Sequence, residues 1–190
     1  MTGPTAEPPS PGRAASQQGI RIRHATGEDA AGIAHIYNDA VAHTTAIWND
    51  TTVDATNRRE WIAARQAAGF PVLVAVDGAG ETAGYASYGP WRAFEGYRFT
   101  VEHSVYVHAE RRGRGLGHAL MERLIAHARE AGVHVMVAGI EAGNAGSMAL
   151  HSRLGFAEVG RLPQVGTKFG RWLDLVFLQL ALDDRPEPGE

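Results

Sequence analysis

The stretch VEHSVYVHAERRGRGLGHAL, residues 101–120, changes from the periodicity of a strand to that of a helix across an Arg/Gly loop. Two sets of side chains alternate at its start, Val101, His103, Val105 and Val107 against Glu102, Ser104 and Tyr106. This period of two predicts a strand with two different faces. Small and apolar residues then recur every fourth position, at Leu116, Leu120, Leu124 and Ala128. That spacing predicts an amphipathic helix, so the stretch predicts a strand, a loop and a helix in that order.

The loop from Arg111 to Gly117 combines three features that favour an anion. A helix N-terminus carries unpaired N–H groups and a partial positive charge. Glycines allow positive φ angles and close approach of a ligand, and arginines add fixed charge and forked donors. The loop therefore predicts a phosphate site, with a basic surface turn as the alternative.

Two common phosphate loops are excluded by the residues themselves. A P-loop needs a Lys directly after its last Gly, and His118 follows Gly117. A dinucleotide fingerprint starting at Gly113 would need Gly at position 118. The pattern that remains, Arg112-x-x-Gly115-x-Gly117, resembles the coenzyme A loop of the GCN5-related N-acetyltransferase superfamily.

That resemblance implies a GNAT fold and acetyl-CoA as cosubstrate. The loop amides would hold the pyrophosphate, and the backbone of the preceding strand would pair with the pantetheine arm. The implied cofactor-binding residues are Val105, Tyr106, Val107, Arg112, Gly113, Arg114, Gly115, Leu116, Gly117, His118 and Asn144.

Composition limits the class of protein. The chain has 190 residues and a net charge of −3, so one globular domain without a global attraction to nucleic acid is expected. It contains no cysteine, which excludes disulfides and a Cys nucleophile and fits a reducing cytoplasm. No metal-ligand spacing such as His-Glu-x-x-His occurs, so no metal is predicted. No apolar run predicts a membrane span.

The order of elements predicts an α/β domain over residues 20–182. Its sheet is expected to be mixed, mostly antiparallel and twisted, with helices flanking it. Residues 1–19 and 183–190 are rich in Pro and small or charged residues and are expected to be disordered. The last strands are predicted at 156–161 and 172–180, joined by a loop over 162–171.

Two further motifs support the resemblance. Asn144-x-x-Ser147-x-x-x-His151-x-x-x-Gly155-Phe156 is similar to the superfamily's second coenzyme A segment, except that many members have Tyr at the position of His151. The segments 91–94, 100–107 and 168–174 resemble the phosphinothricin N-acetyltransferase branch, which includes enzymes acting on methionine sulfone and methionine sulfoximine. The resemblance also implies a homodimer.

The chemistry of acetyl transfer assigns candidate roles. Glu102 is the predicted base, because a partly buried carboxylate has a pKa raised toward a useful value. A solvated carboxylate or an arginine partner is the alternative. His151 is the candidate proton donor, or else a helix-surface histidine. His103 is expected on the opposite face from Glu102, unless a bulge turns it.

The predicted substrate site comprises Arg92, Ala93, Phe94, Glu102, His103 and Ser104. Arg92 would pair with a carboxylate, and Phe94 would pack beside a small amino acid. Ordinary core or dimer contacts are the alternative. Lys168, Phe169 and Arg171 are candidates for the same pocket.

The sequence thus predicts an acetyl-CoA-dependent N-acetyltransferase. Its acceptor would be the α-amine of a phosphinothricin-, methionine sulfone- or methionine sulfoximine-like amino acid, in a ternary complex. Alternatives are another amine (an aminoglycoside, a polyamine or a protein N-terminus), a non-catalytic acyl-CoA sensor, or a nucleic-acid-binding module.

Overall fold

The structure, a computed structural model, describes residues 19–188. The predicted extension 1–19 therefore lies outside the described residues except for Gly19. The strands are β1 Arg21–His24, β2 Val72–Val76, β3 Thr82–Pro90, β4 Thr100–Val107, β5 Val135–Glu141, β6 Ala157–Lys168 and β7 Arg171–Ala181. The helices are α1 Ala30–His43, α2 Ala55–Ala67, α3 Leu116–Glu130 and α4 Ala145–Arg153.

The seven strands form one sheet in the order β1-β2-β3-β4-β5-β7-β6. Every neighbouring pair is antiparallel except β4 and β5, which are parallel. A parallel pair needs a crossover connection, and the predicted loop and α3 supply it. The α/β class and the mixed, mostly antiparallel sheet are confirmed.

The core lies in two layers because β2 is buried on both faces. Val72, Val74 and Val76 pack in a cluster with Ile33 of α1 and Ile62 of α2. Leu73 and Ala75 join the cluster of α3 on the other face, whose helix residues are Leu116, Leu120, Met121, Leu124, Ile125 and Ala128. The predicted four-residue periodicity of α3 is therefore its buried face.

The predicted loop over 162–171 is wrong, because most of it belongs to a long hairpin of β6 and β7. The register of β6 shifts between Glu158 and Gly160 and again between Leu162 and Gly166. Gln164 has a φ of 54° inside the second irregularity. Such bulges interrupt the period-two pattern, and an edge strand tolerates a proline such as Pro163, so the sequence looked like a loop there.

The start of the predicted C-terminal tail makes contacts with the domain. Asp183 lies 2.7 Å from the ring nitrogen Nδ1 of His134, and Arg185 donates to the carbonyl of Gly132 at 2.7 Å. The disorder predicted for 183–190 stays a prediction for the residues beyond these contacts. No helix within 19–188 is long and apolar enough to cross a membrane.

A buried carboxylate organises the start of α1. Asp29 accepts two hydrogen bonds from the Arg23 guanidinium, at 2.7 and 2.8 Å, and one from the backbone N–H of Thr26 at 2.7 Å. Burial alone would raise the pKa of Asp29, but the bonds from Arg23 and Thr26 hold it below its ordinary value. This group joins β1 to the helix that carries one side of the core.

Replacing Asp29 by Asn should destabilise the fold by about 2 kcal/mol at pH 7, because charged hydrogen bonds of the carboxylate are lost. The unfolded state binds the Asp29 proton more readily than the native state, so the stabilisation declines once pH falls below the unfolded value of about 4 and is lost as pH falls through the lowered native pKa. Urea unfolding at pH 7 and at about pH 3 tests this. Glu28→Gln, at an exposed neighbouring carboxylate, is the control. An equal loss of unfolding free energy in both variants contradicts the account, and so does a difference between wild type and Asp29→Asn that does not change with pH.

Candidate active site

Strands β4 and β5 pair for only three residues and then separate. Their parallel register runs from Thr100↔Val135 to Glu102↔Val137. Beyond that point β4 pairs only with β3, up to Val107, and β5 pairs only with β7, up to Glu141. The facing backbone edges of residues 103–107 and 138–141 therefore have no partner strand within 19–188. Unpaired backbone groups need a hydrogen-bonding partner, so the opening between these strands suits an extended, amide-containing ligand.

The loop at the end of β4 places a set of free amides at the same opening. Gly113 and Gly115 have φ angles of 74° and 78°, which favour glycine. The backbone N–H of Arg112 donates to the carbonyl of Ala109. The next N–H along the chain that donates to a backbone carbonyl is that of Ala119, which bonds to Gly115. Within the described range the six intervening N–H groups, 113–118, have no protein acceptor. They converge on the N-terminus of α3, which makes an anion site.

The three arginines of the loop have different surroundings. Arg111 pairs with Asp77 at 2.7 Å. Arg112 bonds to the carbonyl of Val107 at 3.2 Å and lies 3.4 Å from Asp39. Arg114 is exposed and has no ion pair with any residue in 19–188. Of the three, Arg114 is therefore best placed to add charge to a bound phosphate.

Helix α4 borders the opening from the other side. The side chain of Asn144 caps this helix by accepting from the N–H of Ser147 at 3.1 Å. Gly117 in α3 allows close packing, because a Cβ there would lie 3.4 Å from Leu150 and 3.7 Å from Val107. The predicted cofactor-binding residues on β4, in the loop and at Asn144 thus surround one opening.

Glu102 lies where the two strands separate. Its carboxylate reaches across to β5, where a Cβ on Gly139 would lie only 3.1 Å from Oε1. Although Glu102 is exposed to the opening, the atoms packed around its carboxyl partly desolvate it and raise its pKa, and the positive charge of Arg92 lowers it in part. The result is a carboxylate more basic than usual at the edge of the opening, as the predicted role requires. Gly139 was missed, although an isolated glycine inside an apolar strand signals a close approach.

Ser104 and Tyr106 share the Glu102 face of β4. Burial raises the pKa of Tyr106 to about 12, although a hydrogen bond with Ser104 acts in the opposite direction. The β3–β4 register is continuous over these residues, so no bulge turns the strand. The predicted alternation is therefore observed.

His103 lies on the opposite face, buried against α4. Its Nε2 is 3.0 Å from Nε2 of His151, and the two rings stack with centroids 4.9 Å apart. His151 is 1% exposed, so the surface alternative is wrong. Nδ1 of His151 lies 2.7 Å from the carbonyl of Ser147, to which it must donate. The structure does not bring His103 into the opening beside Glu102.

These contacts fix the protons of the pair. Because His151 donates from Nδ1, its Nε2 accepts, and His103 donates from Nε2. Nδ1 of His103 is then a buried acceptor without a partner in the described range. Burial lowers the pKa of His103 to about 3, helped by the neighbouring His151, and burial also lowers the pKa of His151. Both rings are neutral near pH 7. No motif in the sequence signals this pairing.

The segment after β3 brings the charge of Arg92 close enough to Glu102 to lower its pKa. The guanidinium of Arg92 lies 4.3 Å from the centre of the Trp91 ring, and Trp91 packs edge-on against Phe177. Arg92, Ala93 and Phe94 are exposed. Within 19–188 no group of three or more His, Asp or Glu side chains is arranged to hold a metal ion.

Comparison with known proteins finds a matching family profile and similar enzymes. A sequence profile described as the acetyltransferase (GNAT) family matches residues 33–156. An L-methionine sulfoximine/L-methionine sulfone acetyltransferase of Pseudomonas paraeruginosa is 62% identical over 85% of this chain and 94% of its own length.

Two solved structures are also similar. One is a putative acetyltransferase of Salmonella typhimurium with its cofactor acetyl-CoA, which has a TM-score of 0.88 and 56% identity and covers 90% of this chain and 99% of its own. The other is a GNAT superfamily phosphinothricin acetyltransferase of Sinorhizobium meliloti in complex with acetyl-CoA. It has a TM-score of 0.86 and 33% identity, and covers 91% and 95% of the two chains.

The proton arrangement of the histidine pair predicts a spectroscopic result. Long-range ¹H–¹⁵N spectra at about pH 7.5 should show His151 protonated on Nδ1 and His103 on Nε2. The His103 signals should not change down to about pH 5.5, because the pKa of this ring lies at about 3. Titration of His103 in this range, or the opposite tautomers, would contradict the geometry.

Proposed function

Because the chain belongs to the acetyltransferase (GNAT) family, we propose that it transfers the acetyl group of acetyl-CoA to the α-amine of a small amino acid. Its acceptors are methionine sulfone, methionine sulfoximine and phosphinothricin, the compounds named for its relatives. The observation that carries the proposal is a basic carboxylate, Glu102, at the point where β4 and β5 separate beside the free amides 113–118.

We propose that the cofactor lies along this opening. The loop amides and Arg114 bind its phosphates, and the unpaired edge of β4 from Val105 to Val107 bonds to the pantetheine arm. The same N–H groups polarise the thioester carbonyl, which increases its reactivity. Asn144, at the N-terminus of α4, binds the other side of the arm.

Glu102 is the proposed general base. It accepts the proton that the acceptor amine loses as its nitrogen forms a bond to the acetyl carbon and the carbon–sulfur bond breaks. An α-amine titrates near 8, so a carboxylate with a raised pKa, acting directly or through water, assists the reaction near neutral pH. Arg92 and Ala93 bind the acidic end of the acceptor, with Phe94 and Ser104 beside it.

His151 remains the second proposed catalytic residue, but the contacts limit how it acts. Its ring is enclosed and its two nitrogens are occupied by Ser147 and His103. The hydroxyl of Ser147 lies 3.4 Å from Nδ1. We propose that the neutral His151 ring orients this hydroxyl toward the leaving thiolate, which takes its proton from water, and that His103 contributes by holding His151.

We also propose that the protein is a cytoplasmic homodimer. The β6–β7 hairpin exposes the apolar side chains Val159, Leu162, Val165, Phe169 and Trp172. An apolar surface of this kind on a globular protein favours association. The lack of cysteine is compatible with a reducing compartment.

The direct test of function is release of free thiol from acetyl-CoA with each of the three amino acids, a polyamine, an aminoglycoside and a short peptide. Glu102→Gln should lower kcat at least about 100-fold with the best amino acid, because general base catalysis is lost. The KM for acetyl-CoA should change by less than about twofold, as the amide is isosteric.

Glu130→Gln, at an exposed carboxylate on α3, is the matched control and should keep wild-type kinetics. Turnover confined to the polyamine, aminoglycoside or peptide would overturn the acceptor class. Wild-type kcat in Glu102→Gln would overturn the base.

The dimer predicts a separate result for Trp172, which is 66% exposed. Trp172→Glu should convert the dimer to a monomer near 20.4 kDa, because a charge cannot be buried unpaired in an apolar interface. Light scattering after size-exclusion chromatography measures the mass. A monomeric wild-type protein, or an unchanged dimer in the variant, would contradict this interface.

A further inference from the structure

The chain has a single lysine among its 18 basic Lys and Arg side chains, and that lysine is buried. Lys168 is 3% exposed at the end of β6. Its ammonium donates to the backbone carbonyls of Ile47 and Asn49, the second at 2.8 Å, and lies 5.1 Å from the centre of the Phe169 ring. It has no carboxylate partner within 19–188. Burying a cation without a carboxylate partner costs free energy, which the hydrogen bonds to the loop carbonyls offset only in part. A residue that carries this cost is a candidate for a functional role.

The loop that Lys168 contacts, residues 44–54 between α1 and α2, is held mainly by side chains. Within 19–188 no backbone–backbone hydrogen bond involves residues 45–53. Thr45 donates from Oγ1 to Glu141 at 2.9 Å, and the Trp48 indole donates to the carbonyl of Thr45 at 2.9 Å. The Trp48 ring fills the space that a side chain on Gly166 would need. The path of this loop therefore depends on a few anchors, and Lys168 is the only charged donor among them.

The anchored loop covers the Glu102 face of the sheet. Ile47 is buried in a cluster with Ala40 and Val41 of α1, and Tyr106 packs against that cluster. Tyr106 lies on the same face of β4 as Glu102 and Ser104. Glu141, the partner of Thr45, is the last residue of β5, beyond the point where β5 leaves β4. The loop thus covers the acceptor side of the opening. The contacts that hold it do not involve the amides 113–118.

From these contacts we infer that Lys168 is a positioning residue for the acceptor amine, fixing the backbone of residues 47–49 as one wall of the acceptor site. This inference rests on the proposed function. It replaces the predicted role of Lys168 as a pocket-lining side chain, because the buried ammonium bonds to the loop. A lysine suits the position because three donors on a compact ammonium reach two nearby carbonyls, whereas the planar guanidinium of Arg needs more room.

Lys168→Met keeps the length and apolar stem of the side chain and removes both hydrogen bonds. The KM for the amino acid should rise about tenfold or more, since bonds from a charged donor are lost. The KM for acetyl-CoA should change by less than about twofold, and Thr45→Val, which removes the hydrogen bond from Thr45 to Glu141, should shift the kinetics in the same direction. Arg123→Met, which removes an exposed cation on α3, is the control. Equal increases in both KM values, or none, would overturn the inference.

A second measurement does not depend on turnover. Reductive methylation modifies amines, so Lys168 is the only side chain in the protein that it can label. In the native wild-type protein Lys168 should be labelled at least about 100-fold more slowly than in urea, and Thr45→Val should accelerate the native rate. Rapid labelling in the native state would show that the ammonium does not hold the loop. If Lys168 is labelled slowly but the protein turns over none of the amines, the proposed function is overturned, whereas the contact between Lys168 and residues 47–49 stands.

Discussion

The early end of pairing between β4 and β5 is the constraint on which the site depends. After Glu102 and Val137, β4 follows β3 and β5 follows β7, so two backbone edges remain open in the middle of the sheet. Elsewhere the described sheet is continuous, and helices pack on both faces of β2 and β3. The opening places the loop amides, the N-terminus of α4 and Glu102 around one space, which explains why residues far apart in sequence share one function.

The two sides of the opening are built differently. The proposed cofactor side consists of backbone amides fixed by two glycines with positive φ and by the first turn of α3. The proposed acceptor side consists of side chains, with Glu102 near Gly139 and a loop held by Lys168, Trp48 and Thr45. Backbone recognition is insensitive to most substitutions, whereas side-chain anchors change readily. This difference lets one fold keep its cofactor while the acceptor varies.

The sequence predicted the features that depend on local patterns. The strand, loop and helix of residues 101–120 and the opposed directions of Glu102 and His103 follow from periodicity. The family and its cofactor were predicted from a resemblance to known acetyltransferases, which the pattern of Arg112, Gly115, Gly117 and Asn144 carries. The contacts between distant segments could not be predicted, because neither the His103–His151 pair nor the bond from Lys168 to Asn49 has a local signature. The bulges of β6 concealed its length for a similar reason.

The central claim is that the acceptor amine is held at Glu102 on one face of the opening. A crystal structure with coenzyme A and methionine sulfone tests it most directly. The account predicts the sulfur between β4 and β5 just beyond Glu102, with the amine nitrogen about 3 Å from the Glu102 carboxylate or joined to it by one water. An amine bound on the His103 face, or with neither a direct nor a water-mediated contact to Glu102, would contradict the account.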